Sequence, residues 1–222
     1  MFSTEDLTAR ARIREAALRL FAEHGPDAVT VRQIAAAAGV SAGLVVHHFA
    51  SKEGLRMAVD EHVAGIFDGL FGEFTGADAG KLAELMSPEG SASLAELLMR
   101  SLPADSAVPA YLRRLLLSGE PAGTALFRRW YQASEQLMAA MTATGMVEAG
   151  ADPPVRTAFL MVNDLAMLLL RDHLVEVLGL DPLGAEGMGR WMSEAVAVYR
   201  DGLFSAVPGP GPDAGRNGEE ER

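Results

Sequence analysis

The sequence predicts an all-α protein, with a small amino-terminal three-helix unit followed by a larger helical body. Glycine and proline cut the chain into helical lengths, apolar residues recur every three or four positions, and no stretch sustains the period-2 alternation of a half-buried strand. With 222 residues, 49% of them hydrophobic, the chain is long enough to bury a sizeable core.

The first helix is expected from about Thr8 to His24, with Ile13, Ala17, Leu20 and Phe21 on one stripe and Gly25-Pro26 as its stop. Thr30-Val31-Arg32-Gln33 fits a capping box opening a short second helix that ends at Gly39. Ser41 caps a third helix through His48, and Ser51 a fourth carrying Leu55, Val59, His62, Ile66, Phe67, Leu70, Phe71 and Phe74. Thr75 to Ser91 reads as a boundary loop with a short helix around Lys81 to Met86. Leu94, Leu97 and Leu98 mark a helix ended near Pro103. Val108, Tyr111, Leu112, Leu115 and Leu116 mark another, ended at Gly119. A longer helix runs from about Pro121 to Met146, with Phe127, Trp130, Tyr131, Ser134, Leu137, Met138 and Met141 on one face. Asp152-Pro153-Pro154 starts a helix expected to reach Leu178. A turn at Gly179 to Gly184 leads into the last helix, with Met188, Trp191, Met192, Ala195, Val198 and Tyr199. Residues 206–222 read as a disordered acidic tail too poor in apolar residues to order itself.

Nineteen Lys and Arg against 30 Asp and Glu give a net charge of -11, but the charge is segregated. Residues 1–56 hold seven bases and six acids, so the acidity belongs to the remainder. A near-neutral head on an acidic body binds nucleic acid if its bases converge on one face, with salt-dependent affinity. The absence of cysteine removes disulfides and thiolate metal sites, and with no secretory opening and no apolar run of spanning length the default compartment is the cytoplasm, away from membranes. The histidines show no ligand spacing, so no metal is expected, and no cofactor is implied. No paired acid–base constellation or nucleophile elbow marks an enzyme.

Two short helices joined through a glycine and preceded by a longer amphipathic helix have the layout of a helix-turn-helix reader. Three segments sharpen it: Thr30-Val31-Arg32-Gln33-Ile34-Ala35, Ala38-Gly39-Val40-Ser41-Ala42-Gly43, and His47-His48-Phe49-Ala50-Ser51-Lys52-Glu53-Gly54-Leu55. Over about 45 residues the chain resembles the amino-terminal domain of TetR (tetracycline-repressor-like) transcriptional regulators. The resemblance implies a DNA-binding domain over 1–51 and a ligand-binding and dimerisation domain over 52–205.

Val31, Ile34, Ala35, Val40, Val45 and Phe49 are spaced to pack the three helices together, leaving Ala42, Gly43, Val46 and His47 on the opposite face of the third. Arg32 suits a bidentate pair with guanine, and the resemblance makes it the base reader. Lys52 and the helix start at Ser51 suit a phosphate. The expected DNA contacts are therefore Thr30, Arg32, Ser41, Ala42, Gly43, Val46, His47, His48 and Lys52. Where this chain has Val46 the family usually has a tyrosine that contacts DNA backbone. A rival reading follows from its loss: a helical small-molecule carrier or scaffold that no longer binds DNA.

In the body, Phe159, Met161, Val162, Leu165, Met167, Leu168, Leu169 and Leu170 do not fit one helix face, so the helix over 153–178 must be covered on two sides. Pairing it and the helix over 184–204 with those of a second chain gives a four-helix interface, as in the family, and a homodimer that addresses a near-palindromic operator in double-stranded DNA. A small-molecule effector of unknown identity is expected to be lined by Met86, Leu98, Tyr111, Leu115, Trp130, Ser134, Met138, Asn163 and Met167. Each of these side chains also suits plain core packing. The favoured reading is a repressor released by an apolar ligand, and ligand-dependent activation shares the same sequence signature.

Overall fold

A computed structural model describes residues 4–75, 79–85, 87, 90–103 and 105–201. The described residues form eleven helices: α1 (Thr4–His24), α2 (Val31–Ala38), α3 (Ala42–Phe49), α4 (Lys52–Thr75), α5 (Ala79–Leu85), α6 (Ser91–Ser101), α7 (Val108–Leu117), α8 (Pro121–Ala143), α9 (Pro153–Leu169), α10 (Arg171–Leu178) and α11 (Ala185–Asp201). None is long and apolar enough to cross a membrane. The expected contact Met86 and the acidic tail lie outside the described residues.

The head is α1 to α3, and its starts are set locally. Gln33 N–H donates to the Thr30 hydroxyl at 3.3 Å while Thr30 N–H donates to Gln33 Oε1 at 2.8 Å, completing the capping box of α2. Gly39 closes α2 with φ +65°, a left-handed position natural to glycine. Ser41 Oγ accepts from Leu44 N–H at 3.1 Å and Ser51 Oγ from Gly54 N–H at 3.0 Å, capping α3 and α4. Ile13, Ala17, Phe21, Ile34, Val45, Leu55 and Val59 are all but fully buried in the core these helices share.

That core continues into the body without a break. α4 turns Leu55, Val59, Val63 and Phe67 inward against α1 at one end and α8 at the other. α7 packs on α1, α8 and α9, and α11 packs chiefly on α6. The α7–α8 junction is tight at Gly123, where an added Cβ would sit 2.2 Å from the Leu115 carbonyl oxygen.

α1 begins at Thr4, four residues before the expected Thr8, and two other helix ends also depart from the sequence expectation. The helix over 153–178 is two helices, broken at Leu170 (φ -106°, ψ 16°). The second segment is pinned by its own ion pairs, Arg171 with Asp181 and Arg113 with Asp172, which hold α10 to its own direction. α8 stops at Ala143 instead of reaching Met146, because the Thr142 and Thr144 hydroxyls donate to carbonyls of the last turn and Gly145 takes φ +72°.

Gly123→Ala should force α7 and α8 apart. The expected loss is about 1–3 kcal/mol, as for other overpacked core sites. Chemical denaturation measures it, and an unchanged midpoint would refute the tight-approach assignment.

Candidate functional site

The outer face of the head is assembled from α2 and α3. Arg32 is exposed and makes no hydrogen bond or ion pair with any described residue. Gly43, Val46 and His47 are exposed beside it, with Val46 at 48% and an added Gly43 Cβ meeting nothing closer than Ser41 Oγ at 3.8 Å. Ala42 is half-buried. Thr30 and Ser41 are exposed, with their hydroxyls engaged in the caps.

Two expected DNA contacts are otherwise engaged. The Lys52 ammonium donates to the carbonyls of Pro26, Asp27 and Val29 at 2.9, 3.4 and 3.2 Å, which directs all three N–H groups into the α1–α2 turn instead of toward a phosphate. His48 buries both ring nitrogens, which have no partner among the described residues, and its ring lies edge-on to those of His47 and Phe49. His48 thus has its polar atoms turned inward, away from the exposed face.

Sequence reasoning also missed two arginines. Arg12 of α1 donates from Nε (3.2 Å) and Nη2 (2.8 Å) to the Ala38 carbonyl, and from Nη2 to Gly39 at 3.2 Å, placing a cation on the carboxyl end of α2. Arg114 of α7 donates to the Ala22 and Glu23 carbonyls at 3.4 and 3.2 Å, fastening the end of α1 to the body.

The expected effector lining divides in two. Tyr111, Leu115, Trp130 and Met167 are buried in the common core, and Leu98 packs against it. Ser134 and Met138 follow Trp130 along α8, half-buried. Asn163 does not join them. It lies exposed on the outer side of α9, donating to the Tyr199 hydroxyl at 2.9 Å, while Tyr199 bonds Asp164. A helix-period argument places Asn163 near Met167, but only packing of α11 shows which side faces out.

Within the core, the Tyr111 hydroxyl donates to Asp60 Oδ1 of α4 at 2.6 Å. Burial, and next the bond and charge of Asp60, push the Tyr111 phenol far above its ordinary range, so it stays a neutral donor. Burial raises the Asp60 carboxyl, against the opposing pulls of Tyr111 and Arg56. Arg56 is itself paired with Glu120 at the start of α8. One turn on from Val63, Phe67 lies against Trp130 with ring centroids 4.3 Å apart.

A family model described as "Bacterial regulatory proteins, tetR family" matches residues 13–59, and one described as "Tetracyclin repressor-like, C-terminal domain" matches residues 92–205. The chain belongs to the TetR family. This TetR-family chain is 39% identical over 158 residues to the HTH-type transcriptional regulatory protein RaaS of Mycobacterium tuberculosis, covering 71% of this chain and 68% of that one. It is 48% identical over 65 residues to the repressor KstR2 of Rhodococcus jostii, covering 29% of this chain and 30% of that one. Among solved structures, a Clostridium perfringens putative fatty acid metabolism regulator superposes with a TM-score of 0.65 at 19% identity, over 87% of this chain and 98% of that one. AibR, solved in complex with isovaleryl coenzyme A and operator DNA, does so with 0.60 at 15%, over 88% and 100%. The TetR assignment makes the chain a DNA-binding regulator and not an enzyme.

Because Asp60 titrates higher folded than unfolded, the folded state binds the proton more tightly. Its contribution to stability is lost as pH rises from the ordinary carboxylate pKa, about 4, through the raised folded value. Asp60→Asn keeps an acceptor for Tyr111 and should flatten this slope, seen as a smaller change in Tm across that window. An identical pH profile in the variant would remove Asp60 from the account.

Proposed function

We propose that this TetR-family regulator is a homodimeric repressor that leaves a near-palindromic operator when a small apolar ligand enters its body. The observation that carries the DNA part is the exposed face of Arg32, Gly43, Val46 and His47 on helices whose other sides are buried. Arg32 is the base reader through guanine, while Gly43 and Val46 give close approach and thymine-methyl contact where hydrogen-bond donors are missing. Phosphate contacts fall to His47, since Lys52 is engaged in the turn.

The dimer reading rests on α9 to α11. Val155, Phe159, Val162 and Leu170 lie on one stripe of α9 and its end, and are 50–68% exposed, while Met161, Leu165, Met167 and Leu168 fill the core on the other side. Val198 and Tyr199 extend the apolar face onto α11. An exposed row of this size is what a second copy covers. Two heads then meet half-sites roughly 34–36 Å apart, or a multiple.

The effector reading rests on the aromatic centre of the body, where Tyr111 and Trp130 meet α4. RaaS and KstR2 are regulators, and AibR, on this fold, is seen in complex with isovaleryl coenzyme A and operator DNA. Ligand favouring a different head arrangement by roughly 5.5 kcal/mol would swing the population from 1:99 to 99:1, with α4 carrying the change.

On duplexes selected by the wild-type protein from a random pool, Arg32→Ala should weaken binding about tenfold to a hundredfold and relax one position of each half-site. Unchanged preference would reassign the base reader. No salt-sensitive affinity for any duplex would overturn the DNA reading and favour the carrier. Phe159→Asp should convert the dimer to a monomer in sedimentation velocity, and a wild-type monomer would defeat the interface.

A further inference from the structure

Trp130 is one of the most completely buried large side chains of the protein, 1% exposed, yet its indole N–H has no acceptor among the described residues. Buried donors are nearly always satisfied, because removing one from water without a partner is costly. The indole lies between α8 and α4, its ring against Phe67, and the same α4 turns bury Val63 and Ala64, which offer no side-chain acceptor. These α4 side chains leave the donor without an acceptor, in the region to which the proposed function assigns the effector.

Charge narrows what meets it. Asp60 lies seven residues before Phe67 on the same inward face of α4, two helical turns or about 10 Å away, and its carboxyl accepts from Tyr111. Two nearby arginines are already paired. Arg56 is paired with Glu120, and Arg129, next to Trp130, is paired with Asp68 and Glu61. An anionic head group at Trp130 would face the Asp60 carboxyl with no uncommitted cation from either of these arginines. A neutral oxygen meets the donor without that penalty.

We infer that the effector is an apolar molecule bearing a neutral acceptor oxygen, as in a ketone, ester or ether, and that the Trp130 indole N–H receives that oxygen between α4 and α8. This rests on the reading that the body binds an effector, and adds the chemical class and the recognising atom.

The test uses full-length protein with ¹⁵N-labelled tryptophan, whose two indole resonances, from Trp130 and Trp191, are assigned with Trp191→Phe. Matched probes are titrated: butyrophenone against butylbenzene, 2-undecanone against undecane, and decanoate as the anion. At least one ketone should move the Trp130 indole proton downfield, and its hydrocarbon partner should not. Decanoate should bind more weakly than 2-undecanone. Trp130→Phe should weaken ketone binding about threefold to tenfold, while leaving hydrocarbon binding within about twofold. The wild-type spectra decide the matter even if that variant folds poorly. Ketones that bind without moving the Trp130 resonance, or that all fail to bind, would overturn the inference, and tighter binding of decanoate would overturn the neutral class. The effector reading fails separately: it falls if small molecules extracted from the purified protein, added back, do not release it from its selected duplex.

Discussion

Head and body share one apolar core, joined by α4 and by the packing of α1 on α7. Leu55 and Val59 at its start pack with Ile13, Phe21 and Val45, while Phe67, two turns beyond Asp60, meets Trp130. Removing water from that single face stabilises both halves together, at roughly 25 cal/mol for each Å² of apolar surface. Neither half can move relative to α4 without disturbing buried contacts. On the proposed reading, a displacement of α4 at the Trp130 end reaches the head through these contacts.

Polar contacts sharpen this constraint where apolar packing is indifferent to direction. Arg114 fixes the last carbonyls of α1 to α7, Arg12 fixes the end of α2 to α1, and Arg56 joins α4 to the start of α8. Each joins elements that the core has already brought close and selects one orientation between them. The Tyr111 to Asp60 bond does the same inside the body, with the added property that its carboxyl is protonation-sensitive.

What was legible in the sequence was local. Thr30 with Gln33, Ser41, Ser51 and Asp152 act within three residues of themselves, and each caps the helix that its position implied. The inward stripe of α4 followed equally from spacing. Lys52, Arg12 and Arg114 were not legible, since their carbonyl partners lie 23 to 92 residues away and a cation's sequence neighbours do not reveal which helix end it will meet. The placements of His48 and Asn163 were not legible for another reason. Helical period gives the angle of a side chain but not which neighbour occupies that side, and the neighbours turned one inward and the other out. The break at Leu170 carries no glycine or proline, and the segment beyond it makes ion pairs with distant residues.

The engagement of Lys52 has a kinetic side. By bridging three carbonyls of the α1–α2 turn, it holds the second helix at a set angle before any duplex arrives. The ordering entropy of that turn is then lost during folding and not at encounter. On the proposed DNA reading, a turn set in advance leaves less to order at encounter, so the rate of productive collision depends more on approach and alignment.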